Sequence, residues 1–207
     1  MILRFDLCGW ERRKPRRQLR SALLITLMIG LFGCSYQTGK PMKVIDQLDL
    51  PRFMGDWHVL ADIATPFDRN AVLPLERYKL VDDNIVETIY QYHDGSPEGP
   101  IRERHLKGFV STDSNAIWGM QIIWPIKADY RVVYLDDAYQ TTIIGRVKRD
   151  FVWVMARTPT IASEDFEALL SEVQALGYDL DRLRIHEPMR SQWSPNQTSV
   201  QDSPPRN

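Results

Sequence analysis

Between Trp57 and Ala156 the chain is a succession of short stretches in which apolar and polar residues alternate, divided by clusters of turn-forming residues. Alternation with a period of two puts one face of an extended segment in a core and the other in water. Such segments are predicted at residues 57–64, 75–81, 85–93, 102–110, 116–124, 130–136, 140–148 and 151–156. Asp82-Asp83-Asn84, Asp94-Gly95-Ser96-Pro97-Glu98-Gly99-Pro100 and Arg149-Asp150 supply turn chemistry between them. Eight short strands at regular spacing describe an all-β meander. The period then changes to that of a helix over residues 163–177: Phe166, Leu169, Leu170, Val173 and Leu176 form one apolar stripe, enough to cover a sheet face. Ser163 is expected to cap this helix, Glu164 and Asp165 to favour its first turn, and Gly177 to end it. Leu183-Arg184-Ile185 is a candidate for a short extra strand.

Three stretches have a more specific pattern. Leu50-Pro51-Arg52-Phe53-Met54-Gly55-Asp56-Trp57 leads into the first strand, with Gly55 tolerant of a crowded or left-handed backbone and Trp57 carrying an indole N–H that needs a partner. A hundred residues on, the last strand ends in Arg157-Thr158-Pro159, and a guanidinium there can lie over an indole face. Between them stands Tyr130-Arg131-Val132-Val133-Tyr134-Leu135-Asp136-Asp137-Ala138-Tyr139. In this order and at these intervals the three motifs resemble the lipocalin family, in particular the bacterial outer-membrane lipoprotein lipocalins that are similar to apolipoprotein D. The resemblance runs over residues 46–187. It implies an eight-stranded antiparallel up-and-down β-barrel with one C-terminal helix packed outside, and a closed end where Gly55, Trp57 and Arg157 come together. Residues 65–70 resemble the family's long first loop, which tends to lie over the open mouth.

The first residues change the picture of charge. The chain carries 26 Lys and Arg against 27 Asp and Glu, but residues 1–33 hold seven of the basic groups and two of the acidic ones. Without them the balance is 19 to 25, a net of −6, which has no electrostatic footprint for nucleic acid. The basic stretch precedes an apolar run over residues 21–32, too short to span a bilayer, which takes about 20 residues, and long enough for the core of a signal peptide. The run ends in Leu31-Phe32-Gly33-Cys34, which resembles a bacterial lipobox and makes Cys34 the candidate lipidated residue. Arg12-Arg13 and Arg16-Arg17 raise twin-arginine export, but the surroundings of the second pair fit general secretion better. The expected organisation is a signal peptide at 1–33, a tether at 34–45, the barrel domain at 46–187 and a disordered tail, rich in Pro, Ser, Gln and Asn, at 188–207. Ser35 after the Cys implies, by family likeness, sorting to the outer membrane, facing the periplasm. Cys8 leaves with the signal and Cys34 takes the lipid, so no disulfide is expected.

In a small barrel every second residue points inward, and eight strands leave room for one small ligand. Trp118, Met120, Ile122 and Trp124 share one parity, as do Phe151, Trp153 and Met155, while Tyr78 and Tyr130 resemble the family's pocket-lining aromatics. The expected site is apolar and aromatic with a few hydroxyls near its mouth, formed by Tyr78, Trp118, Met120, Ile122, Trp124, Tyr130 and Trp153. The partner implied is a fatty acid or lysophospholipid, held for storage or transport in envelope maintenance; a homodimer is left open. No cofactor is implied. His58, His93, His105 and His186 are scattered without metal-ligand spacing, and no nucleophile motif is present, so no enzyme is expected. The alternatives are a barrel filled by its own side chains that serves as an interaction module, and an enzyme acting on lipid, which needs a polar pair inside the barrel.

Overall fold

A computed structural model describes residues 41–193. The signal peptide, Cys34, most of the tether and the end of the tail lie outside the described residues. A short helix α1 (Leu50–Phe53) precedes strands β1 (Gly55–Ile63), β2 (Ala71–Asp82), β3 (Ile85–Asp94), β4 (Ile101–Val110), β5 (Ile117–Ile123), β6 (Ile126–Leu135), β7 (Thr141–Gly145) and β8 (Val152–Ala156). Each pairs antiparallel with the next, β8 returns to β1, and β1 pairs with β2 from Gly55↔Tyr78 to His58↔Leu75, which closes the barrel. Helix α2 (Ser163–Ala175), strand β9 (Arg184–Ile185) and helix α3 (Met189–Gln192) follow. Above His58, β9 takes over as the ladder partner of β1 on that side, at Ala61 and Asp62.

Two apolar cores share one wall. The interior core gathers Phe53, Trp57, Val59, Tyr78, Trp118, Tyr130, Trp153 and Met155. The outer core packs Phe166, Leu169 and Val173 of α2 against Leu60, Ile143, Val152 and Val154 on the outside of the barrel. All five residues of β8 are therefore buried, odd positions facing in and even ones facing the helix. Gly177, at φ +89°, ends the helix in the left-handed conformation that glycine tolerates.

Several boundaries differ from expectation. Strand β2 begins at Ala71, four residues early, because Leu73 at φ +50° and a register shift between Val72 and Leu75 break the alternation without breaking the ladder. Strand β6 begins at Ile126 rather than Tyr130, since residues 126–129 already pair with β5, from Ile126↔Ile123 to Asp129↔Gly119, in the outer part of the β5–β6 hairpin. Ser163 does not cap α2: Ala162 occupies the cap position with no side-chain bond, and Ser163 is already helical. The tail does not begin at Pro188. Met189 is fully buried, Trp193 meets Phe166 edge-on at 5.6 Å, and Gln192 donates to the Ile161 carbonyl at 2.8 Å. Met189 and Trp193 stand one helical turn apart, so α3 sets both against the outer core.

Candidate ligand-binding cavity

The base of the barrel is built from the chain's own lead-in. Asp49 accepts from the Arg52 N–H and starts α1, with Pro51 in its first turn, where a missing N–H costs nothing. The helix drives Phe53 up into the barrel, where its ring stacks on Tyr78 at 5.6 Å and meets Trp118 edge-on at 5.8 Å. The Trp57 indole N–H donates to the Phe53 carbonyl at 2.9 Å. Arg157 lies with its guanidinium carbon 3.8 Å from the Trp57 ring centroid and donates to the carbonyls of Arg52, Phe53 and Asp56 at 2.9–3.1 Å. Gly55, at φ +97°, lets the backbone pass beneath that guanidinium; a Cβ there would stand 3.4 Å from Arg157 Nη1.

Above this layer the interior is hollow. A cavity of about 240 Å³ runs from a floor at Glu76, Tyr130, Met120 and Trp153 to an upper end at Phe67, Arg104, Ile122, Arg146 and Phe151. Thr65, Pro66, Phe67 and Asp68, from the loop between β1 and β2, stand along its upper rim. The walls are apolar with few polar groups, the usual form of small-ligand pockets. Arg104 and Arg146 bring positive charge to the upper end; Arg104 donates to the Phe67 carbonyl, and Arg146 lies over the Phe151 ring with its carbon 5.1 Å from the centroid.

The floor carries a buried carboxyl. Glu76 is 5% exposed, and both the Tyr78 and the Tyr130 hydroxyls donate to its Oε2, Tyr130 at 3.0 Å. Burial raises its pKa to about 7 despite those two hydrogen bonds, with the nearby negative charges of Asp68 and Asp62 adding to the rise. Asp68 also borders the cavity; burial lifts its pKa although Thr65 donates to it at 2.8 Å. Asp62 is fully buried, yet Arg184 binds both of its oxygens at 2.8 and 3.0 Å and His186 Nε2 lies at 3.3 Å. Burial would raise its pKa, but these partners hold it below the ordinary value. Among the described residues no group of three or more His, Cys, Asp or Glu side chains is placed to hold a metal ion.

The lipocalin-like domain family matches residues 48–188, two thirds of the chain. The chain is a lipocalin. It is 27% identical to temperature-induced lipocalin-1 of Arabidopsis thaliana over 172 residues, covering 79% of this chain and 91% of that protein. It is 25% identical over 160 residues to the outer membrane lipoprotein Blc of Citrobacter freundii, covering 77% of this chain and 90% of that protein. Among solved structures it superposes on insecticyanin from the tobacco hornworm Manduca sexta with a TM-score of 0.54 at 12% identity, over 74% of this chain and 87% of the other. Lipocalins are barrels that bind small hydrophobic ligands, and this lipocalin has the cavity for one.

Of the residues expected to line the lipocalin's pocket, Met120, Tyr130 and Trp153 border the lower cavity and Ile122 its upper wall, where it is half exposed. Tyr78 and Trp118 do not line it: with Phe53 wedged between the strands from below, they form the packed layer on which the cavity rests. Trp124 is a correction as well. The inward parity of Trp118, Met120 and Ile122 ends at a register shift between Gln121 and Ile123, and Trp124 stands 81% exposed at the tip of the β5–β6 hairpin. The Tyr hydroxyls lie at the floor, not near the mouth. Glu76, Thr88 and Tyr90 line the cavity as well, beyond the residues expected from the sequence. Parity could have found Glu76, since it shares the inward face with Tyr78, and the register sets Tyr90 opposite Glu76.

Proposed function

We propose that this lipocalin is a lipid-anchored carrier at the outer membrane, facing the periplasm, that takes up single-chain amphiphiles of the fatty acid or lysophospholipid class for storage or transport in envelope maintenance. The observation that carries the reading is the cavity itself: apolar walls, a base sealed by Trp57 and Arg157, and two cations at the upper end. An acyl chain fits the walls, at about 0.8 kcal/mol for each CH₂ removed from water, and an anionic head fits Arg104 and Arg146. Met120, Ile122, Tyr130 and Trp153 are the proposed ligand contacts among the residues expected from the sequence. The basic, apolar, Gly-Cys order that ends at Cys34 supports lipidation, and the similarity to outer membrane lipoprotein Blc supports the location. Acylation on that Cys would hold the protein at a membrane surface without a spanning helix.

A hollow interior favours this reading over a barrel filled by its own side chains. Titrating the purified full chain with hexadecanoate or a lysophosphatidylcholine should change its Trp emission saturably, because Trp153 borders the cavity. Mass spectrometry of lipid extracted from the native protein should find a single-chain amphiphile. A flat titration together with an extract free of lipid would remove the carrier assignment.

A further inference from the structure

Among the described residues eight large apolar side chains stand exposed, and only Val81 lies at the closed end of the barrel. Four of the others share the β5–β6 hairpin: Ile122, Ile123, Trp124 and Ile126 are 48%, 64%, 81% and 69% exposed, and Pro125 among them is exposed too. Successive strands alternate in direction, so the β1–β2 loop with Phe67 and the start of β4 with Ile101 stand at the same, open end. Exposed apolar patches of this kind mark contact surfaces. This one is continuous with the cavity, because Ile122 and Phe67 border the cavity and are also exposed.

The path of the chain ahead of the barrel says what meets the patch. Followed back from α1, Leu48 donates to Asn115 Oδ1 at the closed end, and Ile45 donates to the Val132 carbonyl on β6. Met42 is buried beside Gly145, the last residue of β7 before the open end. Cys34 lies eight residues further back, a length that reaches at most about 28 Å. Gly145 is paired with Arg131, and from there to Ile126 at the hairpin tip is five residues of β6, at most about 17 Å. An acyl group on Cys34 can therefore lie in the plane of the hairpin tip. Charge points the same way. Residues 121–127 carry Lys127 and no acidic side chain. The three turns at the closed end present exposed Asp82, Asp83, Asp113 and Asp137 and no Lys or Arg, so an anionic lipid surface repels that end.

Resting on the lipid-anchored carrier reading above, we propose that the open end, led by residues 122–126, docks on the bilayer that holds the anchor. The occupant of the patch is a lipid surface, and ligand passes between bilayer and cavity along Ile122 and Phe67 without crossing water. Trp is favoured at the boundary of headgroups and acyl chains, and the strength of such docking grows with the apolar area that enters it.

The test uses the full chain, expressed in a Gram-negative host and reconstituted into vesicles of phosphatidylethanolamine and phosphatidylglycerol. Trp124 is the reporter, read as the difference in emission between the wild type and Trp124→Phe. On vesicles this difference should move to the blue, lose its access to iodide and be quenched by phospholipid brominated along its acyl chains. Ile123→Asp combined with Ile126→Asp, both at exposed positions, should abolish the bromine quenching and slow the transfer of a fluorescent fatty acid to acceptor vesicles. Val81→Asp, the same change at the closed end, should leave both as they are. Trp124 that stays open to iodide while the protein sediments with the vesicles overturns the docking and leaves the anchored carrier standing. So does bromine quenching that survives the double substitution. Protection of Trp124 that grows with protein concentration in the absence of lipid assigns the hairpin to a second copy of the chain and overturns the proposal as well. Loss of sedimentation with vesicles, together with an unacylated Cys34 by mass spectrometry, removes the anchor reading and the docking with it.

Discussion

The Tyr130 hydroxyl donates to the Glu76 carboxyl at 3.0 Å across the floor of the cavity, joining strands β6 and β2 through the middle of the barrel. Burial raises the Glu76 pKa from 4.5 to about 7. The folded chain therefore keeps a proton that the unfolded chain has already released between those two values. Stability falls as pH rises through that window, by up to about 3 kcal/mol above it. Glu76→Gln removes the titration. Urea denaturation at pH 5 and pH 8 should show the Gln variant gaining on the wild type at the higher pH by about 2–3 kcal/mol, and equal pH slopes for the two proteins would contradict the assignment.

Arg157 closes the base through its planar fork as much as through its charge. Arg157→Ala removes a partly desolvated cation–π contact and the guanidinium's hydrogen bonds to the Arg52, Phe53 and Asp56 carbonyls, of which Phe53 keeps the Trp57 indole, and should destabilise the chain by about 1–3 kcal/mol. Arg157→Lys keeps the charge and loses the fork, so it should recover less than half of that loss. Urea midpoints of the three proteins decide it.

Met189 is fully buried beside α2, whereas Ser191, on the same short helix, is exposed. Met189→Ala should cost about 2–4 kcal/mol and Ser191→Ala no more than about 0.5 kcal/mol. Equal effects from the two in thermal denaturation would mean that α3 is not packed as described.

Trp124 is 81% exposed, whereas Trp57, Trp118 and Trp153 are no more than 9% exposed. Trp124→Phe should shift the emission to the blue and reduce the fraction that iodide quenches, with the melting temperature changed by only a degree or two. Unaltered quenching would place the side chain elsewhere.

The fold was readable because it rests on periodicity and on a few residues with single uses. Alternation located the strands, the helical stripe located α2, and the two ends of the Trp57–Arg157 contact could be named a hundred residues apart. The cavity was readable only in its apolar half. A Glu inside a strand ordinarily faces water, so its residue type argues against the inward position that parity with Tyr78 gives Glu76. Parity failed at Trp124 for the opposite reason: it was extended past a turn that Pro125 imposes. Tyr78 and Trp118 were placed on the correct face but at the wrong height, because nothing in a strand's own sequence tells how far Phe53 rises from below. Met189 and Trp193 were lost in a stretch whose composition resembles a tail.

Strands β1 and β2 share a ladder at only four positions, Gly55 to His58. Higher up, Arg184 spans the interval, binding Asp62 on β1 and the carbonyls of Asp68 and Arg69 just ahead of β2. The cylinder is thus zipped by peptide groups near its foot and latched by a single ionic clasp toward its lip. A clasp of this kind yields to acid once Asp62 takes up a proton, so the rim would slacken there while the foot stays shut.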